Sequence, residues 1–384
     1  MHTPSSLAER LAEACMQLVA TASVTGDERT ITDQLEAWAR GLPHLDPSLI
    51  VRQGNALILG APDPDRPTVC LVGHTDTVPP AAGAFEPPQR DGDRIIGLGA
   101  SDMKAGLAVM QVLFERLDWA HLPVAPMIIW YDREEGPYND NGLAPVLALQ
   151  PMLQDIDLAI VMEPTDNTLQ LGCMGGIQAR ITFRGQAAHS ARPWQGENAV
   201  HKAGPFLTNL LNRAHQEVDV QGLTFREAVS VTLAEGGRAR NVVPDTFVCN
   251  LNYRFVPTAG AQEAALAEIN RLAQGAEVEI TDLSPAGPVP YDNPVLEHLQ
   301  AMARLPVLPK QAWTDVARLA ASGIDAINFG PGMGAQAHQA GEWVSVAAIV
   351  QAYEVLFQLF TVPLGLAYPD AGPKTPPSAA PAAH

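Results

Sequence analysis

His74 and Asp76 close a short apolar run, residues 69–72, after one glycine and just ahead of Pro79-Pro80. Along an extended chain alternate side chains share a face, so Asp76 can steer the His74 imidazole, as a metal ligand's orienting partner does. Two more apolar runs end in acids: residues 124–131 deliver the adjacent Glu134 and Glu135, and residues 158–162 deliver Glu163. Asp102 sits in the glycine-flanked stretch Gly97-Leu98-Gly99-Ala100-Ser101-Asp102-Met103-Lys104-Ala105-Gly106, and His338 follows Gly330-Pro331-Gly332. Neighbouring acids repel and raise one pKa unless a cation lies between or beside them. Two imidazoles and three or four carboxylates suit zinc, or less tightly cobalt or manganese. A pair of ions explains the excess of acids, with one carboxylate bridging and one acid left free. Such sites hold their ions about 3.5 to 4 Å apart and activate water for attack on a carbonyl or phosphoryl centre.

Taken singly, these residues have plainer readings. His74-x-Asp76 can be a capped strand end, Asp102 a helix N-cap and Glu134-Glu135 a solvated turn. Convergence decides against them: in open α/β sheets the carboxyl ends of strands form the ligand crevice, and three strand ends with two adjoining loops point there together. Gly97-x-Gly99 lacks the third glycine and the preceding strand of a dinucleotide fingerprint.

The elements that must position these groups are legible from periodicity. Residues 7–19 and 28–40 have helical spacing, and residues 49–52 and 56–59 suggest a hairpin around Gly54-Asn55. Residues 79–94 read as a long proline-rich loop and 107–117 as a helix. From Gly175 the texture changes: strands at 177–184, 229–233, 246–255 and 277–283 alternate with helices at 198–211 and 261–272, the order of a sheet with two helices on one side. Beyond a Pro/Gly linker at 285–294 come a helix at 295–303, a helix at 316–321, a strand at 324–329 and a helix at 346–360. The expected architecture is α/β: a mixed-sheet catalytic domain from residues 1–174 and 289–366, an inserted α+β, ferredoxin-like lid and dimerisation domain at 175–288, and a disordered Ala/Pro tail at 367–384.

The chain has 384 residues, 47% of them hydrophobic, enough for roughly two ordinary cores. A formal charge of -18 disfavours nucleic acid and anionic membrane surfaces, which would repel it. No run has the length of a membrane span and the N-terminus lacks a basic region followed by an apolar core, so a cytoplasmic address is expected. Cys15, Cys70, Cys173 and Cys249 are far apart, without Cys-x-x-Cys, and read as reduced core residues.

In order along the chain, the motifs resemble the co-catalytic di-zinc aminoacylase and carboxypeptidase family, and within it the succinyl-diaminopimelate desuccinylases of the shorter actinobacterial type. The resemblance is carried by Gly73-His74-Thr75-Asp76-Thr77-Val78-Pro79, Gly99-Ala100-Ser101-Asp102-Met103-Lys104, Glu134-Glu135, Glu163-Pro164-Thr165, Ala188-His189-Ser190-Ala191-Arg192, Gly236-Gly237-x-x-x-Asn241-Val242-Val243-Pro244, Asn252-Tyr253-Arg254-Phe255, Trp313-Thr314-Asp315-Val316-Ala317-Arg318 and Phe329-Gly330-Pro331-Gly332 with His338. It implies two zinc ions per subunit, with cobalt a possible substitute. Asp102 would bridge them, His74 and Glu163 would complete one site, and Glu135 and His338 the other. It further implies Asp76 as the orienter of His74, Glu134 as general base, a cis bond between Asp102 and Met103, and His189 reaching a partner subunit's site to hold the oxyanion. Asn241, Arg254 and Thr314 resemble substrate-binding positions, and Arg192 and Arg318 are further candidate cations for an acidic N-acylated amino acid. Lid turn, surface ion pair and helix cap are the plainer readings of Asn241, Arg254 and Thr314. Ala312-Trp313 replaces the Gly-Gly that many desuccinylases carry before this threonine, so the pocket wall there is expected to differ.

The leading expectation is hydrolysis of the succinyl amide of N-succinyl-LL-2,6-diaminopimelate by a homodimer that contacts itself through the lid. The alternative within the class is a deacylase of another N-acyl amino acid, such as acetylornithine or acetyl-lysine, or a carboxypeptidase-like enzyme. From other classes come a di-metal phosphoesterase and a metal-binding module without catalysis. Retention of Glu134 beside a full ligand set argues against the last, since a structural metal site is normally closed and needs no spare base.

Overall fold

A computed structural model describes residues 6–81 and 86–365. The expected tail at 367–384 lies outside the described residues. The described residues form two compact units, one from the stretches 6–172 (without 82–85), 289–308 and 314–365, the other from Cys173–Pro288 and Pro309–Trp313. Pro309–Trp313 goes with the smaller unit because its backbone and side chains bond there: Met174 N donates to Ala312 O at 3.1 Å, and Trp313 Nε1 to Pro285 O at 3.0 Å.

The larger unit is built on an eight-stranded sheet in the order Ile50–Gln53, Ala56–Leu59, Ala125–Tyr131, Thr68–His74, Leu158–Val161, Ala326–Asn328, Leu169–Leu171, Val307–Pro309. The four central strands, Ala125–Tyr131 through Ala326–Asn328, are parallel, and antiparallel pairs flank them. Every residue of Thr68–His74, Ala125–Tyr131 and Leu158–Val161 is buried, the reason these strands read as unbroken apolar runs rather than alternating ones. The helices Leu7–Ala20, Ala105–Arg116 and Val346–Thr361 pack on one another, and Ala105–Arg116 also packs on the Thr68–His74 strand. Ser6 caps the first of these helices through Glu9 N, and Ser345 caps the last through Ala348 N. Parallel strands end on one edge, so His74, the loop after Tyr131, Glu163 after Val161 and the loop after Asn328 emerge together.

Part of the expected 79–94 loop is a hairpin: Gln89–Asp91 pairs with Arg94–Ile96, which pairs with Trp343–Ser345. Its strands of three residues, all exposed in Gln89–Asp91, leave no periodicity to detect.

The smaller unit holds a five-stranded antiparallel sheet, ordered Gln216–Val220, Leu223–Gly236, Thr246–Phe255, Gly175–Arg184, Glu277–Ser284. Without its first strand this is the ferredoxin-like arrangement expected from the chain order. The extra edge strand is joined by Gln221-Gly222, both at positive φ, a two-residue hairpin turn. Exposure of most of Leu223–Gly236 hid its full length. The expected 198–211 helix divides into Ala199–Lys202 and Gly204–Leu211. Pro205 has no N–H to continue the ladder across that point.

No helix among the described residues is long and apolar enough to cross a membrane. All four cysteines are free and buried.

Candidate functional site

His74, the last residue of its strand, is 1% exposed. Its Nδ1 lies 3.0 Å from the backbone oxygen of Asp76, which makes that nitrogen the donor and leaves Nε2 as the one that would bind a cation once its proton is displaced. Nε2 faces Asp102 Oδ1 at 3.2 Å and Glu163 Oε1 at 3.7 Å. The Asp76 carboxylate stands 3.5 Å from Nδ1, so the backbone oxygen is the nearer orienting group. That carboxylate also accepts from Glu134 N at 3.0 Å, Glu135 N at 3.1 Å and Thr25 Oγ1 at 2.9 Å. One buried acid therefore ties the His74 strand to the turn carrying the glutamate pair. Arg133, which opens that turn, adopts a φ of 59°, a left-handed conformation that a non-glycine residue holds only under constraint.

Asp102 lies in the tight turn Ala100–Lys104, entered through Gly99 at φ 78° and containing a cis bond between Asp102 and Met103. A side chain at Gly99 would meet both the left-handed torsion and Thr77 Cγ2, which lies 2.6 Å from where its Cβ would stand. Asp102 Oδ1 is turned to His74, and Oδ2 stands 3.9 Å from His338 Nε2. His338, itself at φ 62°, bonds through Nε2 to Glu135 Oε1 at 3.0 Å. One carboxylate thus offers an oxygen to each of two imidazoles, and each imidazole has a second acid beside it. His74, Asp102 and Glu135 present ligand atoms that all lie within 4.8 Å of one another.

Electrostatics show what the cluster requires. Burial opposes protonation of His74, yet its hydrogen bonds to the Asp102 and Asp76 carboxylates outweigh it and hold the imidazole well above its ordinary value. The hydrogen bond to Glu135 pushes His338 up to about 9. Burial lifts Glu134 well above the carboxylate range; Glu163, Asp315 and Glu135 add to the rise, and His74 opposes it. Acids outnumber cationic groups here, and a base poised in that field requires added positive charge to work as a carboxylate. The donor set of two imidazoles and several carboxylates fits one or two divalent cations.

Thr314 is buried beside Asp315 at the entrance to the Val316–Ala321 helix. Arg318, a candidate cation for the substrate, is engaged within the fold: its Nε bonds Asp315 Oδ1 at 2.9 Å, another of its nitrogens donates to Tyr138 O at 2.8 Å, and its guanidinium stacks on the Tyr138 ring. In the smaller unit, His189 is exposed and pairs by a backbone bridge with Val242, so it adjoins Asn241, whose oxygen accepts from Ser190 N at 2.9 Å. Arg192 is exposed one turn on, its N–H donating to His189 O at 2.8 Å. Arg254 is half-buried above Gly176, where a Cβ would come 2.9 Å from its guanidinium, and desolvation lowers its pKa.

Two groups escaped the sequence reading. Glu342, 2% exposed, accepts from the N–H of Gly99, Ser101 and Asp102 and is pushed up to about 7 by burial. Asp315 accepts from Tyr131 Oη at 2.6 Å and Asn141 Nδ2 at 2.9 Å as well as from Arg318. Asp315 stands in the stretch Trp313-Thr314-Asp315-Val316-Ala317-Arg318 that carries the resemblance but had no role assigned to it, and Glu342 had no pattern of residue types to mark it.

The profile of peptidase family M20/M25/M40 matches residues 70–361. A candidate succinyl-diaminopimelate desuccinylase, DapE, of Mycobacterium tuberculosis is 37% identical over 347 residues, 90% of this chain and 96% of its own. The succinyl-diaminopimelate desuccinylase of Corynebacterium glutamicum is 35% identical over 350 residues, 89% of this chain and 94% of its own. Among solved structures, aminopeptidase PepT of Bacillus cereus shares the fold with a TM-score of 0.74 at 20% identity, covering 92% of this chain and 98% of its own. The Bacillus subtilis YXEP protein, described as a dinuclear metal-binding peptidase of the M20 family, superposes with a TM-score of 0.63 at 16% identity, covering 92% and 97%. With the profile spanning most of its length, the chain belongs to peptidase family M20/M25/M40.

Proposed function

We propose that this chain is a metal-dependent amidohydrolase that removes succinate from N-succinyl-LL-2,6-diaminopimelate, in lysine and diaminopimelate biosynthesis. The observation that carries the reaction class is the Asp102 carboxylate turned to His74 with one oxygen and to His338 with the other. The acyl group follows from the activity named for relatives that cover about nine-tenths of the chain. His74 and Glu163 are the proposed ligands of one cation, Glu135 and His338 of the other, with Asp102 common to both. Zinc is the proposed ion, and cobalt can replace it on the same donors. Bound there, such cations supply Lewis acidity, acidifying a water and polarising an amide carbonyl.

The rest of the work falls to the protein. Glu134 is the proposed general base, taking the proton of the attacking water and returning it to the departing amine. Its reach is fixed by the Asp76 carboxylate, which accepts from Glu134 N and Glu135 N and so sets base and ligand as a unit. Asp76 also steadies His74, with its own backbone oxygen as the closer contact. Thr314, Asn241, Arg192 and Arg254 are proposed substrate contacts; the Arg254 guanidinium suits a carboxylate through its planar fork of donors. His189 is the proposed oxyanion donor to a partner subunit's site, in a homodimer formed through the smaller unit. A cytoplasmic location completes the proposal.

An acyl panel tests the substrate. Zinc-loaded protein is expected to hydrolyse the succinyl amide at least tenfold faster, in kcat/KM, than acetylornithine or acetyl-lysine. Preference for an acetyl donor would move the assignment to the related deacylases, and cleavage of a phosphate ester alone would exclude both.

A further inference from the structure

We infer that Glu342 is a positioning residue of the metal centre, its carboxylate clasping the turn that aims Asp102 between the two imidazoles. This rests on the metal-dependent reading above. Glu342 Oε2 accepts from Gly99 N at 2.9 Å, and Oε1 accepts from Ser101 N at 2.7 Å and Asp102 N at 2.9 Å. Its backbone oxygen accepts from Gly97 N at 2.9 Å, so one residue binds four amides across residues 97–102. A buried carboxylate is costly, and three charge-assisted N–H bonds offset that cost; a neutral amide in its place would set a donor against a donor.

The position of Glu342 makes this more than a turn anchor. It lies four residues after His338, on the segment that delivers the second imidazole. That segment grips the same turn from its other end: Met333 N donates to Ser101 Oγ at 2.7 Å, and Ser101 Oγ donates to Met333 O at 3.1 Å. A Cβ at Gly332 would sit 2.1 Å from Ser101 O, so the two backbones are in direct contact. Glu342 therefore fixes Asp102 relative to His338, two groups that come from sequence positions more than two hundred residues apart. His74 has separate support from its strand and from Asp76 O. Loss of the clasp loosens the Asp102–His338 side of the centre and leaves the His74 side anchored.

The test is zinc titration of chelator-stripped protein by calorimetry and by competition with a chromophoric chelator, for the wild type, Glu342→Gln, Glu342→Ala and Ser345→Ala. Ser345→Ala removes the cap of the following helix and serves as a purely structural comparison. The wild type is expected to take up two ions. Glu342→Gln is expected to weaken one of them about 10- to 100-fold, the usual effect of removing an outer partner of a ligand. Ser345→Ala is expected to lower Tm and keep both affinities. Glu342→Gln binding both ions with wild-type affinity, or Glu342→Gln and Ser345→Ala losing affinity in equal measure, would overturn the positioning role. Should Glu342→Ala fail to fold, Glu342→Gln decides alone. A wild type that takes up no cation would remove the metal reading, and the clasp with it.

Discussion

Glu134 and Glu135 are adjacent in sequence but do different work. Asp76 holds the backbone of both, Glu135 bonds His338, and burial raises Glu134 well above the carboxylate range. Glu134→Gln is expected to lower kcat by about 10²- to 10⁴-fold, the range of general acid–base catalysis, while metal content by atomic absorption stays at two per chain. Parallel loss of metal would show Glu134 to be a ligand rather than the base. The ligand candidates were legible because each follows an apolar run or a glycine cluster. The partner of Arg318 was not legible, because sequence does not say which acid stands beside a cation, and here Asp315 accepts from its Nε. Glu342 escaped because its role is to bind backbone, which leaves no pattern of residue types. At the same scale, burial pushes Cys15 up to about 12 and Cys249 to about 11, so at pH 8 fewer than about one thiol in a hundred at either position is ionised. A colorimetric disulfide reagent is expected to label none of the four cysteines in the native protein and all four after unfolding in guanidinium.

Among the elements, the parallel strands do the positioning. Thr68–His74, Ala125–Tyr131 and Leu158–Val161 are buried throughout and end on the same edge, and their existence and type were readable from unbroken apolar runs. Short exposed strands such as Gln89–Asp91 and the edge strand Gln216–Val220 were not readable, because neither face is buried and no alternation results. The chain just after the Leu158–Val161 strand is pressed against the Gly330 turn: a Cβ at Gly330 would stand 2.5 Å from Met162 O and 2.6 Å from Glu163 O. Backbone on both sides cannot yield as a side-chain tip does. Gly330→Ala is expected to cost about 1–3 kcal/mol, measured by denaturant unfolding, and to weaken zinc binding by displacing Glu163. Unchanged stability with unchanged zinc affinity would mean that the turn has slack.

At the scale of the whole molecule, a chain of net charge -18 acting on a substrate with several carboxylates has to concentrate its few cations where the substrate binds. Arg254 is the leading candidate: half-buried, it carries a desolvation cost that a substrate carboxylate would offset. Arg254→Ala is expected to raise KM at least tenfold with kcat within about threefold; a fall in kcat at constant KM would assign it elsewhere. The division into two units followed from the change in texture at Gly175, whereas the assignment of Pro309–Trp313 to the smaller unit depends on hydrogen bonds between distant segments that no local pattern encodes. The central claim, that a cation pair held around Asp102 drives cleavage of a succinyl amide, is tested most directly by turnover of N-succinyl-LL-2,6-diaminopimelate with chelator-stripped and zinc-reconstituted protein. Activity absent from the stripped protein and restored as zinc approaches two equivalents is the predicted result. Equal turnover without metal, or no succinate released by protein shown to hold two zinc ions, would contradict it.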